Sequence, residues 1–193
     1  MELTTPRLFL RFPRQEDTDE YMSFCHTEFV LKYNAMTVST RDGVEAMLMR
    51  SAMEENMLVM EERSTGRLLG AVFFNDDSLR YGVASRELSY FLREEVAGQG
   101  YMTEALSAVI RHLFTAEPEL ECISARSFEP NIASRKLLEK LGFRHEGTIR
   151  RCVRGYGDIV YDDTLYSLLR QDYVGRESSA VCPLSAMPST AKR

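Results

Sequence analysis

Apolar side chains at Met102, Ala105, Leu106, Val109 and Leu113 recur at i, i+3, i+4, i+7 and i+11, which predicts a helix opening at Gly100 with one stripe facing a core. Weaker stripes of the same period predict helices over Glu16–Glu28, through Tyr21, Phe24 and Cys25, and over Thr40–Glu55, through Val44, Met47 and Leu48. Phe29–Ser39 joins them as an aromatic-bearing connector. The period switches to two at Leu8, Leu10 and Phe12, so Arg7–Phe12 reads as a first strand that Pro13 interrupts. Met57–Glu62 and Leu68–Asn75, parted by the polar turn Ser64-Thr65-Gly66, have the pattern of a hairpin, and Arg86–Leu92 and Glu121–Ser127 supply two more strands. After Pro130, Asn131 is a helix N-cap candidate, because its side-chain oxygen can accept from an orphan amide. Ala133, Leu137 and Leu141 form the buried face of that helix, and Gly142 suits the left-handed position that ends it. Phe143 begins a return strand toward Val153, and Ile159–Leu169 is the last strand.

Strand, two helices, several antiparallel strands, helix, strand, helix and two strands make a mixed α/β (α+β) chain with a largely antiparallel sheet. At 193 residues, 44% hydrophobic and 27% charged, the chain suffices for one buried core, so residues 1–173 read as one domain. From Val174 the composition turns to Ser, Ala and Pro without periodicity, so 174–193 reads as a disordered tail.

Charge narrows the partners. Twenty-four basic against 29 acidic residues give a net charge of -5, which argues against nucleic acid, since that partner needs a positive surface. Cys25, Cys122, Cys152 and Cys182 form no C-x-x-C pair, and reduced thiols are the simplest reading. The longest apolar run, Leu68–Phe74 apart from Gly70, is too short to span a bilayer, and the first residues lack the apolar core of a signal peptide. A cytoplasmic protein without a membrane partner is the expectation; self-association is open.

Two glycines before a helix, Gly98 and Gly100, let backbone approach an anion at the positive end of a helix dipole. The stretch lacks the Gly-Lys-Ser/Thr of a P-loop, and Thr103 stands where a dinucleotide fingerprint has its third glycine. His26, His112 and His145 assemble neither a metal site nor a triad, and Met47, Met49, Met53, Met57 and Met60 read as packing residues, so no metal is expected.

AGQGYMTEAL (97–106) followed by NIASRKLLEKLGF (131–143) resembles the acetyl-CoA site of the GNAT superfamily of N-acetyltransferases, and within it the RimJ/RimL group. TTPRLFLR, ELSYFL, Glu146-Gly147 and DDTLYSLLRQDY extend the likeness over about residues 3–173. The resemblance implies a sheet whose central strands splay apart around coenzyme A, flanked by helices. It implies that Gly98, Gln99, Gly100, Tyr101, Met102 and Thr103 form the pyrophosphate loop. Phe91 and Leu92 would be the strand edge for the pantetheine, Asn131 an amide-reading cap, and Ser134 a residue near the thioester. The acceptor side would fall on Phe29, Tyr33 and Asn34. Three positions depart from the family: Ala97 where Arg or Gln is usual, Met102 where a small residue is usual, and Leu138 where many members carry a tyrosine that protonates the departing thiolate.

The function so implied is transfer of an acetyl group from acetyl-CoA to a primary amine, either a protein N-terminus or a small amine. Ser134 would hydrogen-bond the thiolate in place of the tyrosine, although a serine there also suits helix capping. Glu87 is the candidate general base, with Asp76, Asp77 and Glu146 as competitors. The alternative is a non-catalytic acyl-CoA-binding sensor, which would bind the cosubstrate and release no thiol.

Overall fold

The computed structural model describes residues 1–180. Its strands are β1 (Glu2–Thr4), β2 (Leu8–Arg11), β3 (Met57–Glu62), β4 (Leu68–Asp76), β5 (Ser85–Leu92), β6 (Cys122–Phe128), β7 (Arg144–Arg154) and β8 (Val160–Leu169). The helices are α1 (Thr18–Cys25), α2 (Glu28–Leu31), α3 (Arg41–Met53), α4 (Tyr101–Ala116), α5 (Ile132–Leu141) and α6 (Arg170–Ala180). One sheet runs β1-β2-β3-β4-β5-β6-β8-β7, antiparallel at every step except β5–β6. That parallel step is the one whose crossover is α4, as a parallel pair requires.

Both faces of the middle strands are covered, which explains why β3 and β4 are apolar without alternation. Leu58, Met60, Leu69 and Phe74 join the α4 stripe, Leu138 of α5 and Tyr166 in one core. Met57, Val59, Leu68, Ala71 and Phe91 point the other way and meet Tyr21, Phe24, Val44 and Leu48. Edge strand β7 is mostly exposed and rich in arginine, a composition that discourages pairing with another chain. No helix among the described residues is long and apolar enough to cross a membrane.

Several boundaries differ from the sequence expectation. The helix expected over 16–28 divides, because the Thr27 hydroxyl donates to the Phe24 carbonyl at 2.9 Å and accepts from Val30 N–H at 3.4 Å. Thr27 thus closes α1 and caps α2, which lies inside the segment read as a connector. Met53 does not pack: it is 86% exposed at the end of α3. Helix α6 continues to Ala180, past the boundary at 173, with Arg170 donating to the carbonyls of Leu120, Phe114 and Glu117 at 2.7, 2.8 and 2.6 Å. The rest of the expected tail, 181–193, lies outside the described residues.

Candidate active site

β5 and β6 are paired only from Ser85 with Cys122 to Leu88 with Ala125. Beyond that point β5 stays with β4 as far as Leu92, whereas β6 stays with β8 as far as Phe128. The strands part, leaving Ser89–Leu92 with an unpaired edge between two helix entrances. A cavity of about 430 Å³ lies there, lined by Phe91, Leu92, Gly98, Gly100, Tyr101, Met102, Thr103, Asn131 and Ser134. Phe29, Tyr33 and Asn34, from α2 and the turn after it, complete the wall.

The loop before α4 uses its glycines for conformation: Gly98 has φ +75° and Gly100 φ +83°, the left-handed region that other residues resist. No side chain caps α4, so the first amides of the helix keep their hydrogens for another acceptor. The loop is fixed from outside. Arg7 donates to the Gln99 carbonyl at 3.0 Å, pairs with Glu104 at 2.7 Å and lies 4.0 Å above the Tyr101 ring. Glu104 also accepts from Thr5 Oγ1 at 2.6 Å, and the Tyr101 hydroxyl donates to Glu62 at 2.8 Å. Gln99 is not on the wall; its side-chain amide donates to the Glu95 carbonyl at 2.8 Å. Met102, where the family has a small residue, is 5% exposed and packed in the core under α4.

The opposite wall is the start of α5. Asn131 Oδ1 accepts from Ser134 N–H at 3.2 Å, so its oxygen caps the helix, and Asn131 also lines the cavity. Gly142 ends the helix at φ +97°, with Phe143 N–H donating to Leu138 at 3.0 Å. Ser134 Oγ lies 2.8 Å from the Tyr90 hydroxyl, and Tyr90 also lines the cavity. The next turn of α5 presents Leu137 to the cavity, while Leu138 is fully buried in the core.

The sequence matches the Acetyltransferase (GNAT) domain family over residues 7–144. The chain belongs to the GNAT acetyltransferase family. It is 31% identical to the uncharacterized N-acetyltransferase p20 of Bacillus licheniformis over 90% of this chain and 98% of that one. Its fold matches a GNAT-family acetyltransferase of Bacillus anthracis with a TM-score of 0.78 at 23% identity, covering 89% of this chain and 99% of the other. The ribosomal-protein-S5-alanine acetyltransferase of Vibrio fischeri superposes with the same TM-score at 20% identity, over 90% and 98% of the two chains. Acetyl-CoA is the acetyl donor of GNAT enzymes.

Within this GNAT fold, the carboxylate expected to act as base is elsewhere. Glu87 does not line the cavity; it is paired with Arg126 at 2.9 Å on the neighbouring strand. The register explains this: Glu87 sits opposite Ser124, one step before the ladder ends, and Arg126 is the first β6 residue of that face beyond it. The competitors are also engaged. Asp76 pairs with Arg86 and Asp77 with Arg80, each at 2.5 Å, and Glu146 accepts from Ser167. Among the described residues the charged side chains on the wall are Lys32 and Lys140, and no carboxylate or histidine lines it. Asp163 was not anticipated. It is 4% exposed, one of its oxygens has no partner among the described residues, and burial raises its carboxyl above the ordinary aspartate range despite Arg126.

Proposed function

We propose that the chain transfers the acetyl group of acetyl-CoA to a primary α-amine, the N-terminus of a protein or peptide. The observation that carries this reading is the composition of the cavity wall: free helix amides, an unpaired strand edge, a hydroxyl pair and no carboxylate. Acetyl-CoA brings an activated thioester. The chain suits its parts, with the Gly98–Thr103 amides for the pyrophosphate, the β5 edge at Phe91 and Leu92 for the pantetheine, and the Asn131 amide for a carbonyl. Phe29, Tyr33 and Asn34 form the acceptor side.

Transfer makes one N–C bond and breaks the C–S bond, the electron pair leaving with sulfur, and the proton that the amine nitrogen loses passes to water and balances the thiolate, which leaves as the thiol of CoA. Ser134, at the parted strands, donates a hydrogen bond to that sulfur. With no carboxylate on the wall, the acceptor's own acidity decides. An α-amine titrating near about 8 is neutral often enough at pH 7, whereas a lysine amine near about 10.4 is neutral more than a hundred-fold less often. The alanine acetyltransferase of Vibrio fischeri, which shares the fold, acts by its name on a ribosomal protein, and this supports the same acceptor class.

Calorimetry with acetyl-CoA, followed by thiol release with matched peptides, tests the proposal. A peptide with a free N-terminus is expected to outpace its N-blocked, lysine-bearing counterpart by more than about a hundred-fold at pH 7. Equal rates would reject the α-amine assignment, and binding without release from any amine would leave the sensor reading in possession.

A further inference from the structure

Leu138 is fully buried, so the helix position where the family carries its acidic tyrosine does not open on the cavity here. A phenol reaches the site from the sheet instead. Tyr90 comes from β5, its ring packs against the core under α4, and its hydroxyl meets Ser134 Oγ at 2.8 Å across 44 residues of sequence.

Either hydroxyl can donate in that hydrogen bond. The Tyr90 hydroxyl has no other acceptor among the described residues, and Tyr90 and Ser134 both line the cavity. Two hydroxyls sharing one bond leave one O–H free to meet a ligand in the cavity that both side chains line. With Tyr90 as the donor, Ser134 Oγ–H is the free one. Burial holds the Tyr90 phenol well above the ordinary tyrosine range, more than the Ser134 contact lowers it, so the phenol stays protonated. A phenol so reluctant to ionise is a poor source of a proton for a thiolate but a dependable hydrogen-bond donor, and a donated bond strengthens the next one in a hydroxyl chain.

We propose that Tyr90 is a positioning residue that donates to Ser134 Oγ and thereby aims the Ser134 hydroxyl at the sulfur that departs as thiolate. The pair lowers the energy of the thiolate by hydrogen bonding, and no proton passes from Tyr90. This rests on the acetyltransferase reading, and it adds a strand residue to the machinery that no helix motif encodes.

The test uses the whole chain with CoA as the probe. The thiol of bound CoA is titrated by thiolate ultraviolet absorbance in wild type, Tyr90→Phe, Ser134→Ala and the double variant. Affinity for CoA, thermal midpoint and kcat with a peptide acceptor are measured beside it. In wild type, bound thiol should ionise at lower pH than free CoA. Ser134→Ala should raise that midpoint by about one pH unit and lower kcat about ten-fold, the effect of one hydrogen bond to a charged group, and Tyr90→Phe should move both the same way by a smaller amount. CoA affinity and the thermal midpoint should stay near wild type. In the Ser134→Ala background, Tyr90→Phe should change nothing further. An unmoved thiol midpoint, additive effects, or losses of kcat that merely track lost affinity and stability would each overturn the assignment. Failure of wild type to bind CoA would remove the acetyltransferase reading itself, whereas binding with an unshifted thiol removes only the role given to Tyr90.

Discussion

The two helix entrances that face each other across the cavity look alike as sequence, each a small or polar residue ahead of an apolar stripe, yet they are built to opposite ends. At α4 the cap is Gly100 in a left-handed conformation with no side chain to offer, and the first amides remain unpartnered. At α5 the Asn131 oxygen already takes the Ser134 amide, and what the entrance offers the cavity is a side-chain amide and a hydroxyl. On the proposed reading the first is the anion site, and it depends on backbone and dipole. The second is a polar surface held in place by its own cap. Affinity for the anionic end of the cosubstrate should therefore respond to α4, and stability and chemistry to α5.

The largest effect is expected at Gly100. Valine cannot hold φ +83° without strain of about 1–3 kcal/mol, and a loop that relaxes to escape it swings the free amides away, so acetyl-CoA affinity should fall about ten- to a hundred-fold by calorimetry. Gly98 sharpens the point. A side chain there meets no atom within 4 Å, so its requirement is φ +75° alone, and Gly98→Asn should bind nearly as wild type because asparagine visits that region. A large loss in Gly98→Asn would show that the ligand itself, rather than the turn, excludes a side chain at this position.

The next effect concerns what holds the loop. Burial alone would raise the Glu104 carboxyl, but hydrogen bonds from Thr5 and Arg7 and the Arg7 charge outweigh it and hold the carboxyl below the usual glutamate range. A depressed folded value means the contribution is complete above the unfolded value near about 4.3 and fades as pH falls through the folded one. Glu104→Gln should thus lower the thermal midpoint at pH 7 by about 2–4 °C and weaken acetyl-CoA about five-fold, with Arg7's exposure keeping the effect near 1 kcal/mol. The gap between variant and wild type should narrow as pH falls through the depressed folded value; a gap that stays constant across the acid range in which the chain is folded would disprove the ionic brace.

How much of this could be read from the chain depends on distance along it. Local chemistry was legible: the α4 stripe, the Asn131 cap, the Gly142 stop and the glycines ahead of α4 each declare themselves within a few residues. The Thr27 break was not, because one hydroxyl serving two helices leaves the apolar period intact on either side. β1 is three residues long and acquires its meaning only by pairing with β2. Glu87 looked available as a base because its partner, Arg126, is 39 residues away on another strand. The Arg7 brace and the Tyr90–Ser134 pair span 97 and 44 residues, and no periodicity encodes such contacts. Strand alternation does hold one usable clue: with Leu88 turned to the α4 core, Tyr90 must share its face and reach toward the helices.

The smallest expected change in affinity is at Asn131, and it distinguishes a cap from a ligand contact. Asn131→Ala removes the oxygen that receives Ser134 N–H, a loss of about 1 kcal/mol and about 2–4 °C in a domain of this size. If the oxygen's work is the cap, acetyl-CoA binding should weaken by no more than about two-fold, since the anion site across the cavity is untouched. Asn131→Asp keeps an acceptor for the amide and removes the side-chain amide nitrogen, so it should restore the thermal midpoint and leave affinity close to that of the alanine variant. Should Asn131→Asp instead bind far more weakly than Asn131→Ala, a carboxylate at that entrance would be meeting an acceptor of the cosubstrate, and the Asn131 amide would weigh more in binding than its part in the cap.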